Sequence, residues 1–207
     1  MRFFKHLFAA LALLGAVCAH ADVQEGKDYK LLNPPQSTNS GKKVEVLEFF
    51  YYECPHCYHL LGPLNAWEKT MPKDVELQFV PVIFRDSLEP MARAFYALEA
   101  MGQRKQLHDA LFEALNVMNI DLSDEAKIAE FVAKHGVDRA KFVAIYNSFS
   151  LQTRIAHSKQ MVKSYGVRGT PTIVVDGKYL ITGLRPEETI RVLDQVVAMA
   201  RKQRNKR

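Results

Sequence analysis

Val44-Glu45-Val46-Leu47-Glu48-Phe49-Phe50-Tyr51-Tyr52 runs directly into Glu53-Cys54-Pro55-His56-Cys57-Tyr58. The first nine residues are largely β-branched or aromatic, the composition of a strand buried on both faces. Pro55 suits the first turn of a helix, where its missing N–H costs nothing, and residues 58–69 predict that helix, kinked near Gly62-Pro63. The two cysteines therefore sit where a buried strand hands over to a helix N-terminus. There Cys54 faces unpaired N–H groups and the positive end of the helix dipole. Both favour a thiolate over a thiol, and His56 can add a donor or a positive charge. A stabilised thiolate stabilises the dithiol, which makes the disulfide a strong oxidant.

Other uses of a C-x-x-C pair fit less well. A structural zinc site needs four ligands, and only His56 and His59 are near, with no second cysteine pair. A c-type haem needs His directly after the second cysteine, where this chain has Tyr58. No metal site is expected. Of the three cysteines, Cys18 lies in an N-terminal segment with the marks of a secretory signal: Arg2 and Lys5, an apolar run over residues 7–17, then Ala19-His20-Ala21. Gly15-Ala16-Val17 does not suit lipid attachment at Cys18. Cleavage is expected after Ala21, so that residues 1–21 are removed and the exported chain keeps only Cys54 and Cys57. So small a disulfide loop constrains the unfolded chain little, and the pair reads as chemistry rather than as scaffold.

The rest of the chain is that of an ordinary globular protein: 207 residues, 48% apolar and 25% charged. Disordered, collagen-like and disulfide-scaffold classes are excluded. The net charge of +5 is concentrated at the ends; residues 201–207 read as a solvated basic tail, and nucleic-acid binding is not expected. Residues 22–41 read as an irregular lead-in. Residues 75–84 predict a second strand, with Pro81 pointing to an edge or bulge. Residues 89–165 carry helical periodicity in five segments. Strand character returns at residues 172–175 and 178–181, which flank the hairpin signal Asp176-Gly177. A last helix starts at Arg185-Pro186. The order predicts one α/β domain over residues 22–207: a β-α-β half and a β-hairpin-α half, with an all-helical insertion over about residues 88–165.

Glu48-Phe49-Phe50 followed by Cys54-Pro55-His56-Cys57-Tyr58, together with Gly169-Thr170-Pro171, resembles the DsbA family of periplasmic thiol:disulfide oxidoreductases. These are thioredoxin-fold proteins with a helical insertion, and the resemblance spans about residues 25–200. It implies Cys54 as the exposed nucleophile, Cys57 as its buried partner, and Pro171 in cis beside the disulfide, with the Thr170 backbone free to pair with an extended client. It also implies no cofactor beyond the Cys54–Cys57 disulfide. The expected partners are exported proteins with free thiols and a membrane quinone-linked reoxidant of the DsbB kind, and the expected state is a periplasmic monomer. Glu48 reads either as a solvent-facing residue of an edge strand or, as the resemblance implies, as a proton acceptor near Cys57. The family's best-known member pairs this carboxylate with a Lys on the next strand, but residues 75–84 contain no Lys or Arg.

Among the remaining residues, His59 is expected to cap or line the helix, and His108, His135 and His157 to lie on the surface. Trp67 reads as core, and Phe49-Phe50-Tyr51-Tyr52 offer themselves as lining for an apolar peptide groove. Two rival functions stay open. One is a disulfide isomerase or reductase of this fold; isomerases of that kind carry an N-terminal dimerisation domain, whereas only residues 22–43 precede the first strand, and the potential of the Cys54–Cys57 couple distinguishes a reductant. A redox-inactive chaperone would not need Cys54 and Cys57.

Overall fold

All seven residues of the strand at Val44–Phe50 are buried, because sheet neighbours flank it on both sides and helices cover its two faces. The computed structural model describes residues 22–206; the expected signal segment, residues 1–21, lies outside them. In chain order the elements are β1 (Lys30–Leu31), β2 (Val44–Phe50), α1 (Pro55–Thr70), β3 (Val75–Pro81), a 3-10 turn at Asp86–Leu88, α2 (Glu89–Ala100), α3 (Arg104–Asn116), α4 (Glu125–Lys134), α5 (Arg139–Tyr146), α6 (Phe149–Ser164), β4 (Thr172–Val175), β5 (Tyr179–Thr182) and α7 (Pro186–Arg204).

The strands form one sheet in the order β1-β5-β4-β2-β3. β2 and β3 are parallel, which requires a crossover, and α1 supplies it. β3 is the edge strand, where a proline at its end is tolerated. β2 runs antiparallel to β4, with Glu48 opposite Phe79 on β3 and Ile173 on β4. Alternation then divides β2 between two cores. Val44, Val46 and Phe50 pack with α1, α7 and the helices of residues 89–164, whereas Leu47 and Phe49 pack with Val80, Val174, Tyr165 and Val167. Glu48 shares the first of these faces, the one that α1 covers.

Asp176 and Gly177 take φ of 54° and 62°, as a tight hairpin with the sheet's twist requires. A side chain at Gly177 would also run into the Gln36 carbonyl oxygen. That contact belongs to a part of the lead-in that is not irregular after all. β1 pairs antiparallel with β5, and Leu32 and Gln36 donate N–H bonds to the carbonyls of Lys178 and Gly177 at 2.8 Å each. A two-residue strand is too short to leave a periodic signature.

Three further expectations are corrected. Residues 201–204 are the last turn of α7 rather than a solvated tail: Arg201 Nε donates to Asp74 at 2.8 Å, and Arg204 Nε donates to Asp176 at 2.7 Å while its Nη1 reaches the Gly41 carbonyl at 3.0 Å. His108 is not on the surface but 3% exposed. Its Nδ1 shares a hydrogen bond with the Tyr52 hydroxyl at 2.9 Å, and its ring lies among Phe50, Phe79, Phe95 and Phe112. A hydrogen bond at one ring nitrogen lets the neutral imidazole replace an aromatic residue in the core. Phe49, Phe50 and Tyr52 are themselves core, so of that quartet only Tyr51 stays partly exposed. His135 and His157 are exposed, and Trp67 is buried with its Nε1 donating to Asp194 at 2.6 Å.

Candidate active site

The end of β2 delivers Cys54 to the N-cap of α1, where its backbone is extended (φ −84°, ψ 111°) and Pro55 opens the helix. An N-cap side chain faces the free amides of the first turn, and the Cys54 sulfur accepts the Cys57 N–H at 3.3 Å. From across the sheet, the loop before β4 adds a second set of contacts. The Thr170 hydroxyl donates to the Cys54 sulfur at 3.2 Å, and the Thr170 carbonyl lies 3.6 Å from it. The Thr170–Pro171 peptide bond is cis. Both cysteines are free thiols.

These donors converge on one sulfur. The Cys57 thiol, the Thr170 hydroxyl and the N–H groups of Cys57 and His56 all favour the Cys54 thiolate and bring its pKa down to about 5 against the opposing effect of burial. Cys57 goes the other way: burial, its hydrogen bond to Cys54 and the nearby Glu48 charge all push its pKa up. Among the described residues, then, one cysteine is built to ionise and the other to keep its proton. The two do not differ in accessibility. Cys54 is 2% and Cys57 1% exposed, which corrects the expectation of an exposed nucleophile. Thr170 covers the Cys54 sulfur, and the asymmetry lies in the donors gathered on Cys54 and in the stronger effect of burial on Cys57.

Glu48 is 4% exposed, which removes the solvent-facing alternative. Burial first, and the Cys54 thiolate second, push its carboxyl up to about 8. No cation pairs with it among the described residues, in keeping with the absence of Lys and Arg from β3. Its charge acts on Cys57, which lies one helical turn into α1. His56 and Pro55 are exposed. The donor that His56 gives to Cys54 is its main-chain N–H, while its ring sits 6.5 Å from that of His59.

A groove of about 600 Å³ opens beside the cysteines, lined among others by His56, His59, Leu60, Thr170, Pro171 and Leu184. It takes the place of the groove expected around Phe49 and Phe50. The residue missed in the sequence is Glu53, whose only signal there is its closeness to Cys54. No group of three His, Cys, Asp or Glu residues that could hold a metal ion occurs among the described residues.

A C-x-x-C pair at the helix end after a central strand, facing a cis-proline loop, defines a thioredoxin-fold thiol:disulfide oxidoreductase, here with helices α2–α6 inserted between β3 and β4. Residues 69–193 match the DSBA-like thioredoxin domain. The thiol:disulfide interchange protein DsbA of Bordetella pertussis is 36% identical over 206 residues, covering 96% of this chain and 98% of that protein. The crystal structure of the oxidoreductase DsbA from Xylella fastidiosa superposes with a TM-score of 0.83 at 34% identity, covering 87% of this chain and 98% of that one. That of Pseudomonas aeruginosa DsbA gives 0.83 at 34%, covering 87% and 96%. The chain belongs to the DsbA family.

Proposed function

We propose that the protein is a dithiol oxidase of exported proteins, working in the periplasm as a monomer. The observation that carries this reading is the opposed ionisation of the two thiols, with Cys54 brought down to about 5 and Cys57 pushed up. In the oxidised form a client thiolate attacks the Cys54 sulfur, the Cys54–Cys57 bond breaks, and the electron pair leaves on Cys57. Cys57 takes a proton, for which Glu48 is the nearby buried carrier. A second client thiolate then attacks the client sulfur of the mixed disulfide and expels Cys54. Cys54 departs readily, because its thiolate is held by the Thr170 hydroxyl and the first amides of α1. Two electrons pass from client to enzyme, one proton stays on Cys57, and one is released.

The groove beside Pro171 offers an apolar bed for an extended client, and Thr170 offers main-chain groups that a strand can pair with. No cofactor is needed for the exchange itself. Regeneration needs an electron acceptor, for which a membrane quinone-linked partner of the DsbB kind is the family's solution. No helix among the described residues is long and apolar enough to cross a membrane, so such a partner would supply the membrane part.

Equilibration with glutathione tests the direction of electron flow. A potential near the reference DsbA value of about −120 mV is expected, whereas one near thioredoxin's about −270 mV would make the protein a reductant. On the same reading, the Cys54 thiolate of Cys57→Ser attacks a disulfide-bonded peptide supplied in excess and accumulates the mixed disulfide, one peptide sulfur leaving as thiolate, whereas Cys54→Ser forms none. Equal trapping by both variants would overturn the assignment of roles.

A further inference from the structure

Glu53 stands immediately before the cysteine that forms the thiolate, which is a costly place for a second negative charge. Its Oε2 is buried and has no hydrogen-bond partner, so water cannot screen that oxygen as it would a surface carboxylate. The other charged and titratable groups around the pair are Tyr51 at the end of β2, Glu48 within it, Cys57 in α1, and Arg85 after β3. Arg85 is exposed, and its Nε donates to Ser87 at 2.9 Å rather than to Glu53. Burial raises the proton affinity of the Glu53 carboxyl most, a hydrogen bond from its own main-chain N–H and then Arg85 lower it, and the Cys54 thiolate raises it further.

We propose that Glu53 is a positioning residue acting through Cys54: its carboxylate opposes the negative charge on the Cys54 sulfur and holds the disulfide's oxidising strength below what the helix end and Thr170 alone would give. The inference rests on the reading of Cys54 as the thiolate-forming cysteine. The two charges coexist only in the dithiol form, since the disulfide carries no charge at Cys54. Glu53 therefore raises the free energy of the reduced protein and leaves the oxidised protein almost untouched. That is a bias on the redox equilibrium with no contact to the client.

The sign of the effect separates this role from a structural one. Damage to the turn before α1 would pull donors away from Cys54, raise its pKa and weaken the oxidant. Loss of the Glu53 charge does the reverse. Thiolate absorbance against pH, and equilibrium with glutathione at pH 7.5, are measured for the wild type, Glu53→Gln and Glu53→Asp. In Glu53→Gln the equilibrium constant for oxidising glutathione at pH 7.5, where both Glu53 and Cys54 of the wild type are ionised, is expected about tenfold higher, equivalent to about 30 mV. Glu53→Asp, which keeps the charge, is expected to stay within about threefold of the wild type. A Glu53→Gln change below threefold, a change in the opposite direction, or equal shifts in both variants would overturn the proposal. A wild-type Cys54 that fails to ionise below pH 7 would overturn the reading of Cys54 itself, and this proposal with it.

Discussion

A buried carboxylate without a cation is expensive, and Glu48 is such a group. Its ordinary value of 4.5 is raised to about 8 in the folded chain, so the folded protein holds a proton there that the unfolded chain releases above pH 4.5. A group raised on folding contributes stability below its unfolded pKa and loses that contribution as pH rises through the folded value. Glu48 therefore weakens the dithiol protein progressively between about pH 4.5 and 8. Glu48→Gln keeps the shape and removes the titration. The variant is expected to be more stable at pH 7.5 by on the order of 3 kcal/mol, and to exchange its disulfide more slowly for want of a proton carrier at Cys57. Urea midpoints of the reduced proteins from pH 5 to 8 check the first effect and stopped-flow reduction the second. If the difference between variant and wild type stays constant across that range, Glu48 is not the titrating group.

At the level of elements, what was legible in the sequence was local. β2, the Cys54-Pro55 helix start and the Asp176-Gly177 hairpin each announce themselves within a few residues, and their order gave the thioredoxin frame with its helical insertion. What escaped depends on partners far along the chain. β1 exists only because β5 offers it an edge. Arg204 ends as a clamp because Asp176 and Gly41 lie beneath the last turn of α7. At the site, both sulfurs and Glu48 were legible, but the cover over Cys54 comes from Thr170, 116 positions away. His108 is the sharpest case, because its neighbours in α3 do not reveal that Tyr52 waits across the interface. Burial, with some help from Arg104, lowers His108 from 6.5 to about 3, so the folded protein keeps it neutral where the unfolded chain protonates it. Stability is intact above pH 6.5 and falls as the pH drops toward 3, by on the order of 4 kcal/mol over the whole range. His108→Phe should fill the same aromatic cluster while stranding the Tyr52 hydroxyl, at a cost of about 1–2 kcal/mol at neutral pH. Below pH 5 the order should reverse, with the variant resisting acid better than the wild type. Thermal melts at pH 7 and pH 4 read this directly, and parallel losses in both proteins would remove His108 as the cause.

For the whole molecule, the site's electrostatics and the fold's stability are one free energy counted in two ways. Whatever makes the disulfide oxidising must make the folded chain prefer its dithiol form, because reduction and unfolding close a thermodynamic cycle. The unfolded chain adds little bias, since a loop as short as Cys54–Cys57 constrains it weakly. The preference is therefore carried by Cys54, whose thiol ionises near 9 when unfolded and near 5 when folded. A group depressed on folding contributes fully above its unfolded pKa and nothing below its folded one. The reduced protein should thus be the more stable form at pH 7, by about 2 kcal/mol once solvent screening at the helix end is allowed for. The advantage should grow toward pH 9 and vanish below pH 5. Urea unfolding of the oxidised and reduced proteins at pH 4.5, 7 and 8.5 measures it. A disulfide form as stable as the dithiol at pH 7 would mean that the donors gathered on Cys54 do not stabilise its thiolate, and the oxidase reading would lose its physical basis.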